Sequence, residues 1–221
     1  MSMLNELSAP NEVLLYHAWH GLNQLLDKRV PVSLQIRLTA CVTDVITFMP
    51  LLRQLESEEA SRLEKHFDLT VKRWDAPRSF QFAAAFKATC YFLRALQDAL
   101  YGVLLETAGG RAGGYSSMAD AAKDSNPVHA LLVQALPDYL EWFLDFRNIR
   151  NRMKEGVSTA FTCRITPGPP RVSVDVHRVN DQKREVTTWR SLSLDWIDEC
   201  VKHSVELARC AERVYSEESA G

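Results

Sequence analysis

The sequence lacks the features that would place it outside ordinary water-soluble globular proteins. Its five cysteines are odd in number, widely spaced and without a C-x-x-C pair, which argues against a disulfide framework or a zinc site and favours buried thiols. No basic start followed by an apolar run opens the chain, and its most apolar later stretch is interrupted by Lys87, Arg94 and Asp98. We expect a cytoplasmic protein with no membrane contact, no metal and no cofactor.

The sequence also lacks an excess of charge of either sign. A formal net charge of −2 gives no overall basic field, so any contact with nucleic acid would have to come from a local basic patch. The glycine-rich run from Ala108 to Ser117 lacks the lysine and the preceding strand of a phosphate-binding loop. No internal repeat and no long linker divides the 221 residues, which predicts a single helical domain over 1–221.

Helical periodicity runs through most of the chain. Apolar residues recur at three- and four-residue steps at about residues 12–26, 33–55, 78–107, 127–136, 137–156 and 193–214. Asn11 is placed to cap the first segment, and Pro50 is expected to kink or break the second. The charged residues 56–68 are expected to continue the second segment as an exposed helix.

The segment from Arg78 to Thr107 is apolar on more than one face, which predicts the central and most buried helix. Asp98 lies in its middle, where an unpaired carboxylate is costly to bury. We expect Asp98 to reach solvent or to pair with a cation, for which Arg147 and Arg150 are the predicted partners.

The period changes after Gly156. Apolar and polar residues alternate from Phe161 to Ile165 and from Val172 to Val176, and Val186 to Trp189 is a third short run. The pattern predicts a small antiparallel β-hairpin or meander, inserted at about residues 158–190 before the last helix. The predicted fold class is therefore mainly α, a helical bundle with a small β insertion.

The predicted helix at 137–156 changes chemical character along its length. One side carries an apolar stripe formed by Tyr139, Trp142, Phe146, Ile149 and Met153. A neighbouring line turns from apolar to basic after its midpoint, and its second half contains Arg147, Asn151 and Lys154, close to which Arg150 projects. Such a cluster of N–H donors suits a phosphate or a carboxylate.

A structural interpretation of these cations stands beside the functional one. Cations near a helix C-terminus interact favourably with the helix dipole, and an arginine beside an apolar stripe covers it with its methylene groups. On this interpretation the chain is a purely structural helical subunit.

The run from Arg150 to Gly156 resembles the signature of the HEPN superfamily of α-helical proteins, an Arg-Asn pair followed by three variable residues and a His. The resemblance implies a helical bundle with the motif near the end of a long helix. Family members with the full motif are metal-independent ribonucleases, commonly dimers, whose Arg and His meet across the subunit interface. By position, the candidate catalytic residues are Arg150, the phosphate-contacting arginine, with Asn151 and Glu155.

Glu155 stands where the family has its His. A His near neutral pH can exchange a proton with a 2′-hydroxyl or a leaving oxygen, whereas an ionised Glu cannot donate one and repels phosphate. The resemblance therefore implies a non-catalytic, homodimeric module in a defence or toxin–antitoxin setting. Its ligand would be RNA, a nucleotide or a protein partner, bound through Arg147, Arg150, Asn151 and Lys154.

The alternative is a metal-independent endoribonuclease with an atypical active site, in which Arg150 acts with Glu155 or with a histidine from elsewhere, such as His177. His177 and Asp175 are expected on an exposed polar strand face. His17 and His20 are read as a half-buried pair beside Trp19, since no carboxylate pattern accompanies their spacing. His129 and His203 look solitary.

Substitution of Glu155 by His tests whether the residue at this position is the sole reason for an absence of ribonuclease activity. In the presence of EDTA we expect wild type to leave tRNA and mRNA intact, because its Glu cannot act as a general acid. Glu155→His should gain cleavage that Arg150→Ala then abolishes. Arg150-dependent cleavage by wild type would contradict the non-catalytic interpretation.

Overall fold

The secondary structure places a small sheet before the last helix. The computed structural model describes residues 9–66, 77–110, 117–123, 125–154, 161–165, 172–180 and 182–219. Its elements are α1 (Asn11–Leu25), α2 (Val32–His66), α3 (Pro77–Thr107), a 3-10 turn (Met118–Ala122), α4 (Pro127–Ala135), α5 (Tyr139–Lys154), β1 (Phe161–Ile165), β2 (Val172–Asn180), β3 (Glu185–Ser193) and α6 (Leu194–Ser219). The prediction of a mainly α fold with an antiparallel meander before the last helix is confirmed. Most of the glycine-rich run, residues 111–116, lies outside the described residues.

The chain divides into two compact units, each made of segments that are distant in sequence. The first unit runs up to Ile46 and adds Phe92–Phe146 and the residues from Glu199 onwards. The second unit comprises Thr47–Tyr91 and Arg147–Asp198. Helices α2, α3, α5 and α6 each contribute residues to both units. The single domain over 1–221 stays a prediction.

The first turns of α1 and α6 show which groups accept the free N–H groups at the start of each helix. Pro10, not Asn11, precedes the first turn of α1, because the Pro10 carbonyl accepts the N–H groups of Val13 and Leu14 at 2.9 and 3.2 Å. The predicted Asn11 cap is therefore wrong. At the start of α6, the Ser193 hydroxyl accepts the N–H of Trp196 at 3.4 Å, as expected of a residue that opens a helix.

Helix α2 continues through Pro50 to His66, so the charged residues extend the second segment as predicted. Pro50 lies inside it without ending it, because Met49 and Leu52 beside it are fully buried and their packing outweighs one lost hydrogen bond. Glu59 is 0% exposed, so the expectation of an exposed helix over 56–68 is wrong at this residue. Glu59 lies two turns after Leu52, on the same buried side of the helix.

By length and composition alone, Val32–Ser61 of α2 is also apolar enough to cross a membrane. A packed helix of a water-soluble protein meets the same requirement, so this finding is weak support for a membrane location. The cytoplasmic location stays a prediction.

The first unit has an apolar core to which six helices contribute. Fully or almost fully buried side chains include Leu15 and Leu22 of α1, Leu38 and Val45 of α2, Leu96 and Leu100 of α3, Leu132 of α4, Tyr139 and Phe143 of α5, and Val201 and Leu207 of α6. Helix periodicity alone places these residues on the inner sides of their helices.

A partly buried ion pair lies along α3 in this unit. Nη2 of Arg94 lies 2.9 Å from Asp98 and 2.6 Å from the hydroxyl of Ser117, and its guanidinium covers the ring of Phe143 at 4.8 Å. Asp98 also accepts the N–H of Met118 at 2.7 Å. The predicted partners Arg147 and Arg150 were wrong, because Arg94 lies one helical turn before Asp98 and reaches it directly.

A second polar cluster joins α6 to the loop after α1. The hydroxyl of Tyr215 donates to Asp27 at 2.5 Å and accepts the N–H of Asp27 at 3.1 Å. The guanidinium of Arg29 covers the Tyr215 ring at 4.3 Å and contacts the Asp27 carboxylate at 3.2 Å. The hydrogen bond from Tyr215 and that from the backbone of Arg29 hold the pKa of Asp27 at about 2.

The second unit contains the sheet, in the order β1-β2-β3, with both pairs antiparallel. Val172, Val174 and Val176 of the central strand are 0% exposed, and Asp175 between them is 2% exposed. Asp175 accepts the hydroxyl hydrogen of Ser191, its cross-strand partner, at 2.5 Å. The expected exposed face at Asp175 is therefore wrong, because both sides of β2 are covered.

Four cysteines, Cys41, Cys90, Cys200 and Cys210, are buried and free, as predicted. Burial raises the pKa of the thiols of Cys41, Cys90 and Cys210, which makes these three poor nucleophiles at neutral pH. The side chain of Cys163 lies outside the described residues.

Replacement of Asp27 by Asn should lower the melting temperature at neutral pH and should lower it less in acid. Because the folded-state pKa of about 2 lies below the ordinary 3.8, the stabilisation is fully present above pH 3.8 and is lost as the pH falls through 2. Thermal unfolding of wild type and Asp27→Asn between pH 7 and pH 2 measures the difference. A difference that does not change with pH would contradict this role of the carboxylate.

Candidate functional site on helix α5

The apolar side of helix α5 is buried, and this burial fixes the rotation of the helix about its own axis. Tyr139, Phe146, Ile149 and Met153 are each no more than 1% exposed, which confirms that the predicted stripe faces a core. Trp142, the fifth residue of the stripe, is half-buried and stacks on His203 at 4.6 Å, so His203 is not solitary.

The cations of α5 lie beside this buried side. At about 100° per residue, Arg147, Arg150 and Lys154 fall within an arc of about 60°. Arg147, Arg150 and Asn151 are half-buried, and Lys154 is exposed. These four residues are called the cationic face below. The structure therefore brings together all four residues that the sequence predicted to bind an anion.

Arg150 has the most constrained environment of the cationic face. Its guanidinium lies over the ring of Tyr91 on α3, 5.4 Å from the ring centre. Its Nη1 donates to the side-chain oxygen of Asn151 at 3.2 Å, and its Nε is buried with no hydrogen-bond partner among the described residues. A buried N–H without a partner is costly unless a ligand or water completes it.

Arg150 differs from two other partly buried arginines of the chain, because those two are each neutralised by a carboxylate. Arg53 pairs with Asp198 at 2.7 Å, and Arg94 pairs with Asp98 at 2.9 Å. Within the described part of the chain, neither Arg147 nor Arg150 forms an ion pair with a carboxylate. The cationic face therefore has positive charge available for an anionic ligand.

Two residues of α3 belong to this site and were missed by the sequence analysis. Tyr91 provides the ring that Arg150 covers, and the ammonium group of Lys87 lies 6.0 Å from the centre of the same ring. In the sequence, Tyr91 is one of many apolar residues of the segment from Arg78 to Thr107. The four-residue spacing of Lys87 and Tyr91, which puts them on one side of α3, is the signal that could have found them.

A second arginine–aromatic contact lies on the other side of α5. The guanidinium of Arg152 lies 5.6 Å from the ring centre of Trp189 on β3. Arg152 follows Arg150 by two positions, or about 200° of helix rotation, so the two arginines project in nearly opposite directions. Trp189 is 38% exposed. Trp189 was also missed, although an isolated aromatic in a polar run marks it in the sequence.

Of the two candidate acid–base residues, Glu155 and His177, the structure describes His177. Glu155 and the predicted helix stop Gly156 lie outside the described residues. The ring of His177 contacts the hydroxyl of Thr188 at 3.3 Å. His129 is not solitary, because its Nδ1 lies 2.9 Å from the Tyr139 hydroxyl. No described contact supports the endoribonuclease alternative.

The remaining histidines and an open cavity lie elsewhere. His17 and His20 are exposed, not half-buried as predicted, and His20 stacks on Tyr16 at 6.0 Å. Within the described ranges, no group of three or more His, Cys, Asp or Glu residues is arranged to hold a metal ion. An open cavity of about 780 Å³ lies in the first unit between α4 and α6, and none of its lining residues belongs to the cationic face.

Comparisons of the chain with protein-family models, with curated proteins and with solved structures found no match.

A double-mutant cycle measures the contact that holds Arg150. The free energies of unfolding of wild type, Tyr91→Leu, Arg150→Ala and the double variant should give a coupling of about 0.5–1 kcal/mol, as for a partly exposed cation–π pair. The control cycle pairs Tyr91→Leu with Arg147→Ala, for which we expect no coupling. Equal couplings in the two cycles would contradict a specific Arg150–Tyr91 contact.

Proposed function

We propose that this chain is a non-catalytic, HEPN-like helical module that binds RNA through phosphate contacts at the cationic face of α5. The observation that carries the proposal is the environment of Arg150. Its guanidinium is half-buried and held over the Tyr91 ring, its Nε has no described partner, and no described carboxylate neutralises it.

The donor geometry suits a bidentate oxyanion such as a phosphate. A guanidinium held by an aromatic ring is preorganised, so less side-chain entropy is lost when it donates two parallel hydrogen bonds to a phosphate. Arg147 and Lys154 lie on the same side of α5 within about two turns. Their spacing supports a chain of phosphates, and therefore RNA, over a mononucleotide or an isolated carboxylate.

The absence of catalysis follows from the residue types at the site. Glu155 replaces the His that the HEPN motif requires, and an ionised carboxylate cannot protonate a leaving oxygen. The same resemblance supports a homodimer that acts in a defence or toxin–antitoxin setting, and a cytoplasmic location is part of the proposal. A protein ligand at the cationic face is the competing outcome of the test below.

Fluorescence anisotropy with a labelled single-stranded RNA in EDTA tests the proposal. Arg150→Ala should weaken binding about tenfold or more, the loss expected for charge-assisted hydrogen bonds, with little change in melting temperature. Arg150→Lys should be intermediate, because it keeps the charge and loses the planar fork. Arg213→Ala, an exposed arginine of α6, removes the same charge elsewhere and should bind like wild type.

Two outcomes would overturn the proposal. One is that wild type does not bind RNA at physiological salt, which would favour a protein ligand. The other is that Arg150→Ala binds RNA as tightly as wild type but loses several degrees of melting temperature, which would make the cationic face structural.

A further inference from the structure

Trp189 occupies an irregular position of the sheet. Val176 of β2 pairs with Arg190 and His177 pairs with Thr188, so Trp189 has no pairing partner and is the extra residue of a β-bulge. In the described sheet β3 pairs only with β2 and is an edge strand. Bulges redirect side chains and are frequent beside binding sites.

The surroundings of Trp189 are those of a stacking surface. Trp189 is 38% exposed although the guanidinium of Arg152 lies over its ring, and its neighbours Thr187 and Thr188 are exposed and uncharged. A tryptophan at this bulge leaves part of a large apolar ring in contact with water, where a smaller polar residue would not. Exposed aromatic side chains stack the bases of single-stranded nucleic acids, and arginine adds cation–π interactions at such sites.

We propose that Trp189 and Arg152 form a nucleobase-stacking platform, so that the ligand of the cationic face is single-stranded RNA with at least one unpaired base. This inference rests on the proposed function. The phosphates contact Arg147, Arg150 and Lys154, and a base stacks on Trp189.

The geometry of α5 sets a minimum length for this ligand. Arg150 and Arg152 project to nearly opposite sides of a helix that is about 10–12 Å across with its side chains. A mononucleotide cannot contact both sides, whereas a strand that crosses α5 can. Bases paired in a duplex are not available for stacking, so double-stranded RNA should bind only through its phosphates.

The test compares three labelled ligands of equal length: single-stranded RNA, the same strand with abasic sites throughout, and a blunt duplex. Trp189→Ala should weaken binding of the base-bearing single strand by about 5- to 150-fold, the range for loss of one stacked base. It should leave binding of the abasic strand and of the duplex unchanged. Trp189→Phe keeps an aromatic ring and should restore most of the affinity.

Control variants separate this inference from the proposed function. Tyr16→Ala removes an aromatic of similar exposure, 41%, from α1 and should bind all three ligands like wild type. Arg150→Ala should weaken binding of all three ligands. If Arg150→Ala has this effect and Trp189→Ala has none, the platform is overturned and the proposed function stands. If wild type binds none of the three ligands, both are overturned.

Discussion

Burial of the apolar side of α5 is the constraint on which the candidate site depends. Tyr139, Phe146, Ile149 and Met153 together leave the helix a single rotational setting. In that setting Arg150 lies at the margin of the buried side, where its guanidinium contacts Tyr91 and its Nε is shielded from water. The packing of apolar side chains thus determines the direction in which the basic ones project.

The partly buried arginines Arg53, Arg94 and Arg150 have two kinds of environment. Arg94 and Arg53 are each neutralised by a carboxylate, which offsets the cost of removing a charge from water. Arg150 has an aromatic ring and one amide oxygen in place of a described carboxylate. Such an arrangement is costly for the unliganded protein and favourable when an anion binds, so it fits a ligand site better than a structural one.

The helices and the meander could be predicted because their signal is local. The 3.6-residue period gave the side of α5 that is buried, and the two-residue period gave β1 and β2. Contacts between distant segments could not be predicted in the same way. The Arg150–Tyr91 contact requires the relative placement of α3 and α5, and the exposure of Trp189 depends on a one-residue bulge that periodicity does not encode.

The salt dependence of RNA binding tests most directly whether the cationic face contacts phosphate. For single strands the logarithm of the binding constant falls with the logarithm of salt concentration at about 0.7 per neutralised phosphate. If Arg147, Arg150 and Lys154 each neutralise one phosphate, a triple variant with Gln at these positions should have a slope that is about 2 smaller in magnitude than the wild-type slope. An unchanged slope in the triple variant would contradict the account, because the phosphate contacts would then lie elsewhere on the protein.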